Sequence, residues 1–186
     1  MRRTLPIIFA ASMFLAGCGT DQAQAPAPAS ASASVEPTAP ITDGQPIDAM
    51  PAVERTAQVA CPYLDMEWVA DTNGQRVTGY GTDERFSTPS CVFYSFPEEP
   101  QLTVIVREMA TVDDAIAVVD WAAPIDSTEP AEEPAGWSGG RRGGNEESGA
   151  LYAVQKDTTA VVVFTNQDQS LKAQLVAEEV IANLGL

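Results

Sequence analysis

The sequence predicts an α+β domain, an antiparallel sheet packed with helices in the order α-βββ-α-βββ-α, and three observations predict it. Apolar residues recur at helical spacing near residue 64, along residues 112–122 and along residues 171–184. Between these stretches lie short runs rich in Val, Phe and Tyr, bounded by Gly, Pro, Asn or Asp, which is the pattern of strands and turns. A strand-strand-helix succession then occurs twice, over residues 91–123 and 151–184, with no repeat at the level of individual residues. One sheet with helices packed on one or both faces buries all of these stripes.

Each element has its own local reason. Pro62 suits a first helical position, Asp65 and Glu67 suit the positive end of the helix dipole, and Asn73-Gly74 supplies a stop. Leu64 and Trp68 fall four apart, on one face of that helix. Residues 76–82, 91–96 and 102–108 read as strands, the last two flanking the turn Pro97-Glu98-Glu99-Pro100. Thr111-Val112-Asp113-Asp114 resembles a capping box, and Val112, Ala115, Ile116, Val119 and Ala122 form an apolar stripe that Pro124 ends. Residues 125–149 read as irregular, an acidic loop with prolines followed by Gly136-Trp137-Ser138-Gly139-Gly140-Arg141-Arg142-Gly143-Gly144. Residues 151–156 and 159–165 form a hairpin around Asp157-Thr158. Ser170 starts a last helix whose Leu171, Leu175, Val176, Val180 and Leu184 are expected to face the core.

The chain of 186 residues carries 10 basic and 26 acidic side chains, a formal net charge of -16, with no histidine. So negative a surface argues against nucleic acid as a partner, because it has few cations to release counterions from phosphates. Without histidine, the usual serine and cysteine triads and the histidine-zinc sites are excluded. Met1-Arg2-Arg3-Thr4 followed by an apolar run over residues 5–16 reads as a signal peptide, because about a dozen residues are too few to cross roughly 30 Å of hydrocarbon. The Arg2-Arg3 pair is ordinary for such a leader, and the rest of a twin-arginine motif is missing.

Leu15-Ala16-Gly17-Cys18 has the form of a bacterial lipobox, in which the Cys18 thiol takes the diacylglycerol. Residues 1–17 are therefore expected to be the leader, and residues 18–51 a lipidated cysteine with a disordered Ala/Pro/Ser-rich tether. Residues 52–186 are expected to be one extracytoplasmic domain. Loss of the leader leaves 8 basic residues against 26 acidic ones, a net charge of -18. Two or three acyl chains on Cys18 make the anchor to the cell membrane effectively permanent.

With Cys18 assigned to the anchor, Cys61 and Cys91 remain as an even pair in an exported domain, the setting in which disulfides persist. The alternatives are two free structural thiols, or a redox-active pair that lacks both Cys-x-x-Cys spacing and a nearby histidine. Cys91 alternates with Phe93 onto one strand face, so a bridge pins the start of the first helix to the buried side of the sheet.

Cys61-Pro62-Tyr63-Leu64, residues 74–79, residues 83–93 and Gly136-Trp137-Ser138-Gly139-Gly140 together resemble a family of actinobacterial envelope lipoproteins defined only as a domain of unknown function. The resemblance runs from about Cys61 to the end of the chain, and it implies a disulfide between Cys61 and Cys91. The family has no assigned activity, catalytic residue or cofactor to carry over. The fold also resembles the PsbP-like α+β sandwich of other small actinobacterial lipoproteins, which implies a binding or accessory module.

Function is thus expected to be non-enzymatic, with no catalytic residue, metal or cofactor assigned. The partners expected are the membrane, through the Cys18 anchor, and an envelope protein, glycan or lipid. The alternatives are a histidine-independent envelope hydrolase and a lipid carrier with an apolar groove. The binding candidates are Trp137, Arg141 and Arg142: an aromatic residue among glycines, followed by two cations in a very acidic chain. Trp68 and Trp121 are assigned to the core.

Overall fold

The structure is a computed structural model that describes residues 43–133, 136–145 and 147–186. The expected leader, Cys18 and the tether as far as residue 42 lie outside the described residues. Among the described residues the order is α1 (Met66–Asn73), β1 (Gly79–Asp83), β2 (Ser90–Tyr94), β3 (Pro100–Glu108), α2 (Val112–Ala122), β4 (Glu129–Glu133), β5 (Trp137–Arg142), β6 (Leu151–Lys156), β7 (Thr159–Thr165) and α3 (Ser170–Leu184). The fold class is the one the sequence predicts, a compact α+β domain. The segment expected to be irregular supplies both β4 and β5, so four strands rather than three follow α2.

The seven strands form one antiparallel sheet in the order β1-β2-β3-β7-β6-β5-β4. Two meanders therefore meet at the central pair β3 and β7, where Val104, Ile105 and Val106 face Val163, Val162 and Val161. Their side chains are buried on both faces of the sheet, which is why these strands read as unbroken apolar runs.

One face carries Cys91, Phe93, Val104 and Val161 against Val69 of α1 and Ala173, Val176, Ala177 and Val180 of α3. The other carries Ile105, Ala153 and Val162 against Ala115, Val118, Val119 and Ala122 of α2. Both long helices thus seat on the sheet largely through alanine and valine. This corrects the expected stripes: Val112 and Ile116 on α2, and Leu171 and Leu175 on α3, are exposed. Short side chains bring a helix closer to a sheet, so the contact line runs through the alanines and turns the larger residues outward.

Thr111 caps α2 as expected, its Oγ1 accepting from the Asp114 backbone N–H at 3.1 Å. In contrast, α1 begins later than Pro62. The Asp65 carboxylate accepts from the N–H groups of Glu67 and Trp68, each at 2.9 Å, and so defines the N-terminus. Residues 62–64 instead serve to bury Tyr63 and Leu64. Cys61 and Cys91 are bonded, with their Cα atoms 5.6 Å apart, and Cys91 lies with Phe93 on the α1 face as its alternation requires.

The second meander has a helix on each face, whereas the first has an irregular arm, residues 43–60, on the α2 side of the sheet, over the strands that α2 does not cover. Gly79 and Gly81 allow this: a Cβ on Gly79 would lie 2.4 Å from the Arg55 carbonyl oxygen, and one on Gly81 would lie 2.6 Å from Val53 Cγ1. Residues 43–51, expected to belong to the tether, are part of the folded domain. Ile47 and Ala49 pack against the α2-side core, and Asp43, Gln45 and Pro46 bind a buried arginine.

Candidate functional site

On β5, Trp137, Gly139 and Arg141 project to one face while Ser138, Gly140 and Arg142 project to the other. This alternation separates the three binding candidates. Trp137 is only 4% exposed and belongs to the core beside α3, with Lys156 Nζ 5.8 Å from its ring centroid. Its expected role as an accessible aromatic is therefore corrected: the strand turns it inward. Trp68 and Trp121 are half-buried against the two cores, Trp121 standing edge-on to Phe164 at 6.1 Å.

Arg141 lies opposite Glu129 of β4, with 4.0 Å between Arg141 Nε and the carboxylate. Arg142 donates from Nη2 to Ser148 Oγ at 3.0 Å. The Nε atoms of both arginines are buried without a hydrogen-bond partner. The two residues meet only around the strand end, where they line a depression of about 400 Å³ with Asp126, Ser127, Thr128 and Glu129. Two guanidiniums there can bind an oxyanion by charge-assisted hydrogen bonds. The nearby acidic residues make the depression mixed in charge.

A larger open groove of about 650 Å³ adjoins the disulfide, lined by Pro62, Tyr63, Met66, Tyr80 and Asn183 among others. Its polar groups hold the fold together. The Tyr63 hydroxyl donates to the Pro89 carbonyl at 2.9 Å, and burial pushes its ionisation well above the usual range. Asn183 Nδ2 donates to the Tyr63 carbonyl at 3.0 Å.

Two buried polar clusters carry no motif in the sequence. Where α1 ends, Asn73 Nδ2 donates to the backbone and side-chain oxygens of Gln101, and Thr165 Oγ1 donates to Asn73 Oδ1 at 2.8 Å. On the opposite face, Arg107 of β3 is 1% exposed and donates to Asp43 Oδ1 at 2.9 Å and to the carbonyls of Gln45 and Pro46, each at 3.0 Å. Its guanidinium carbon stands 5.5 Å from the Phe86 ring centroid. The available signal is a single cation directly after the apolar run Val104-Ile105-Val106 of a central strand, where burial requires a counter-charge.

Asp83 is committed in the same way. It accepts from Arg85, with the closest contact at 2.5 Å, and from the Ala52 N–H at 2.8 Å. The Arg85 hydrogen bond holds its carboxyl down at about 2. Burial, followed by the nearby Glu54 charge, pushes the Tyr94 hydroxyl up. Among the described residues, no group of three or more Cys, Asp or Glu side chains is placed to hold a metal ion, and no helix is long and apolar enough to cross a membrane.

A single antiparallel sheet with helices on both faces and one internal disulfide defines a small α+β domain. The chain belongs to the family described as a domain of unknown function (DUF2020), whose pattern matches residues 45–186. That match begins within the arm, two residues after Asp43. No curated protein matches the chain.

Proposed function

We propose that this chain is a membrane-anchored extracytoplasmic lipoprotein, a non-enzymatic binding or accessory module of the cell envelope. One observation carries the reading: Leu15-Ala16-Gly17-Cys18 closes an apolar leader, and an Ala/Pro/Ser-rich segment then fills the sequence up to the arm. The Cys61–Cys91 bond suits an exported compartment. The resemblance to actinobacterial envelope lipoproteins and to PsbP-like sandwiches points the same way.

The binding surface in this reading is the strand-end depression of Arg141 and Arg142, and its partner presents an anionic group. Asp83 and Tyr63, whose ionisation is displaced, are both spent on internal contacts, which favours binding over catalysis. Crosslinking in intact cells tests the whole reading. The native chain is expected in the membrane fraction with a partner attached, and Cys18→Ser is expected to be released or unprocessed. Arg141→Ala with Arg142→Ala is expected to lose the crosslink while keeping the fold. An unlipidated N-terminus elsewhere overturns the anchor, and an unchanged yield in the double variant overturns the site.

A further inference from the structure

We infer that residues 43–60 form a strap that opens as a unit, and that the Asp43–Arg107 ion pair is its latch. The strap contains no helix or strand, and it is held at separated points rather than by a ladder. Arg107 grips Asp43, Gln45 and Pro46 at one end. Asp83 then accepts from the Ala52 N–H at 2.8 Å, and the Val53 carbonyl accepts from the Tyr94 hydroxyl at 2.7 Å. Arg55 donates to the Pro97 and Ser95 carbonyls and to Thr78 Oγ1. At the far end, the Gln58 N–H donates to the Tyr80 carbonyl at 2.9 Å.

Lifting the strap therefore breaks no strand pairing between β1, β2 and β3. It uncovers the flat surface at Gly79 and Gly81 and the edge carbonyl of Tyr80.

The latch differs in kind from the other contacts. Both of its side chains are almost fully buried, at 1% and 3% exposed, so neither charge has water to compensate the loss of the other. Asp43 Oδ2 and Arg107 Nε are both buried without a partner, so the pair joins through one contact rather than as a two-pronged fork. Arg107 sits on the central strand β3, opposite Ala160 of β7, so the latch fastens its end of the strap to the middle of the sheet, whereas Asp83 and Tyr80 hold the rest at the edge strand β1. Any pull from residues preceding Asp43 reaches the fold at this point, a consequence that rests on the anchored reading above.

Hydrogen exchange followed by mass spectrometry, on the full chain in detergent, tests the latch without depending on lipidation. The reporters are the amides of Ala52 and Gln58, which are bonded across to Asp83 and Tyr80 of β1 respectively. Asp43→Asn is expected to speed their exchange by about 100-fold while the amides of β6 and β7 keep their wild-type protection. Arg107→Met removes the buried charge, keeps an apolar stem against Phe86, and is expected to free the same two amides in a folded sheet. Unchanged strap protection in either variant overturns the proposal. So does loss of strap and core protection together in Arg107→Met, which shows one cooperative unit.

Discussion

The two halves of the sheet solve the same problem by different means. The β4 to β7 meander is covered on both faces by helices, whose alanines and valines interdigitate with the strands and whose contact is apolar. The β1 to β3 meander has Tyr63, Leu64 and Val69 of the α1 region on one face. On the other it has an irregular arm fastened by Arg107, Asp83 and Arg55. Apolar burial has no direction and tolerates a helix turned by one position, as the outward Leu171 and Leu175 show. An irregular cover leaves its own backbone groups unpaired, so it requires particular buried donors and acceptors at particular places. The half covered by the arm is therefore the half in which single polar substitutions matter.

The largest effect expected outside the latch comes from the disulfide, which belongs to the arm-covered half. Replacing Cys61 and Cys91 together by Ala frees a loop of sequence separation 30 and is expected to cost about 3.5 kcal/mol by chain entropy. Denaturant midpoints of the variant and of the reduced wild type should fall together, with a common slope somewhat above that of the bridged protein because the unfolded chain is no longer cross-linked. A wild type indifferent to reductant would remove the bridge from the list of what holds this half.

A smaller effect separates the two covers directly. At Gly81 a side chain would meet Val53 and Ala57 of the arm at 2.6 and 2.8 Å, so Gly81→Val is expected to push the arm off the sheet at a cost of about 2 kcal/mol. Exposed Leu175 on α3 has no such constraint, and Leu175→Gln is expected to stay within about 0.5 kcal/mol of wild type. Equal losses in the two variants would contradict the contrast between the halves.

What the sequence made legible follows the same division. The α2 capping residue Thr111, the β6–β7 hairpin and the start of α3 at Ser170 were readable because each depends on neighbours along the chain. The disulfide was readable from parity and compartment. The arm was not, because residues 43–51 have no periodicity and their ordering depends on Arg107, more than fifty positions away. Strand β5 was missed because its glycines and arginines have weak strand preference, and its pairing with β4 and β6 is what fixes it. That pairing also decided the candidate site, since it turned Trp137 into the core and sent Arg141 and Arg142 to opposite faces.

The hairpin of the helix-covered half offers a local test. Asp157 has φ of 51°, in the left-handed region that a short polar side chain tolerates and a β-branched one does not. Asp157→Val is expected to cost about 1.5 kcal/mol, and Asp157→Gly to be neutral or slightly stabilising. Thermal midpoints of the two variants should move apart.

The smallest effect is a pH dependence confined to the arm-covered half. Asp83 is held down at about 2 from an ordinary 3.8, chiefly by its hydrogen bond with Arg85. A carboxylate depressed in the folded state binds fewer protons there than in the unfolded chain. Its contribution is therefore complete above the ordinary value and is lost as pH falls through about 2. The Arg85 side chain is 50% exposed, so screening by water reduces the contribution to about 1 kcal/mol. Asp83→Asn keeps an oxygen for the Ala52 N–H but gives up the charge and the second oxygen that accepts from Arg85, so the pH-dependent part of the difference from wild type reports the ion pair. That difference should be flat from neutral pH down to about 4 and then shrink toward zero near pH 2. A constant difference across the acid range would mean that the arm depends on the Ala52 hydrogen bond and the packing at Gly81 rather than on the charge of Asp83.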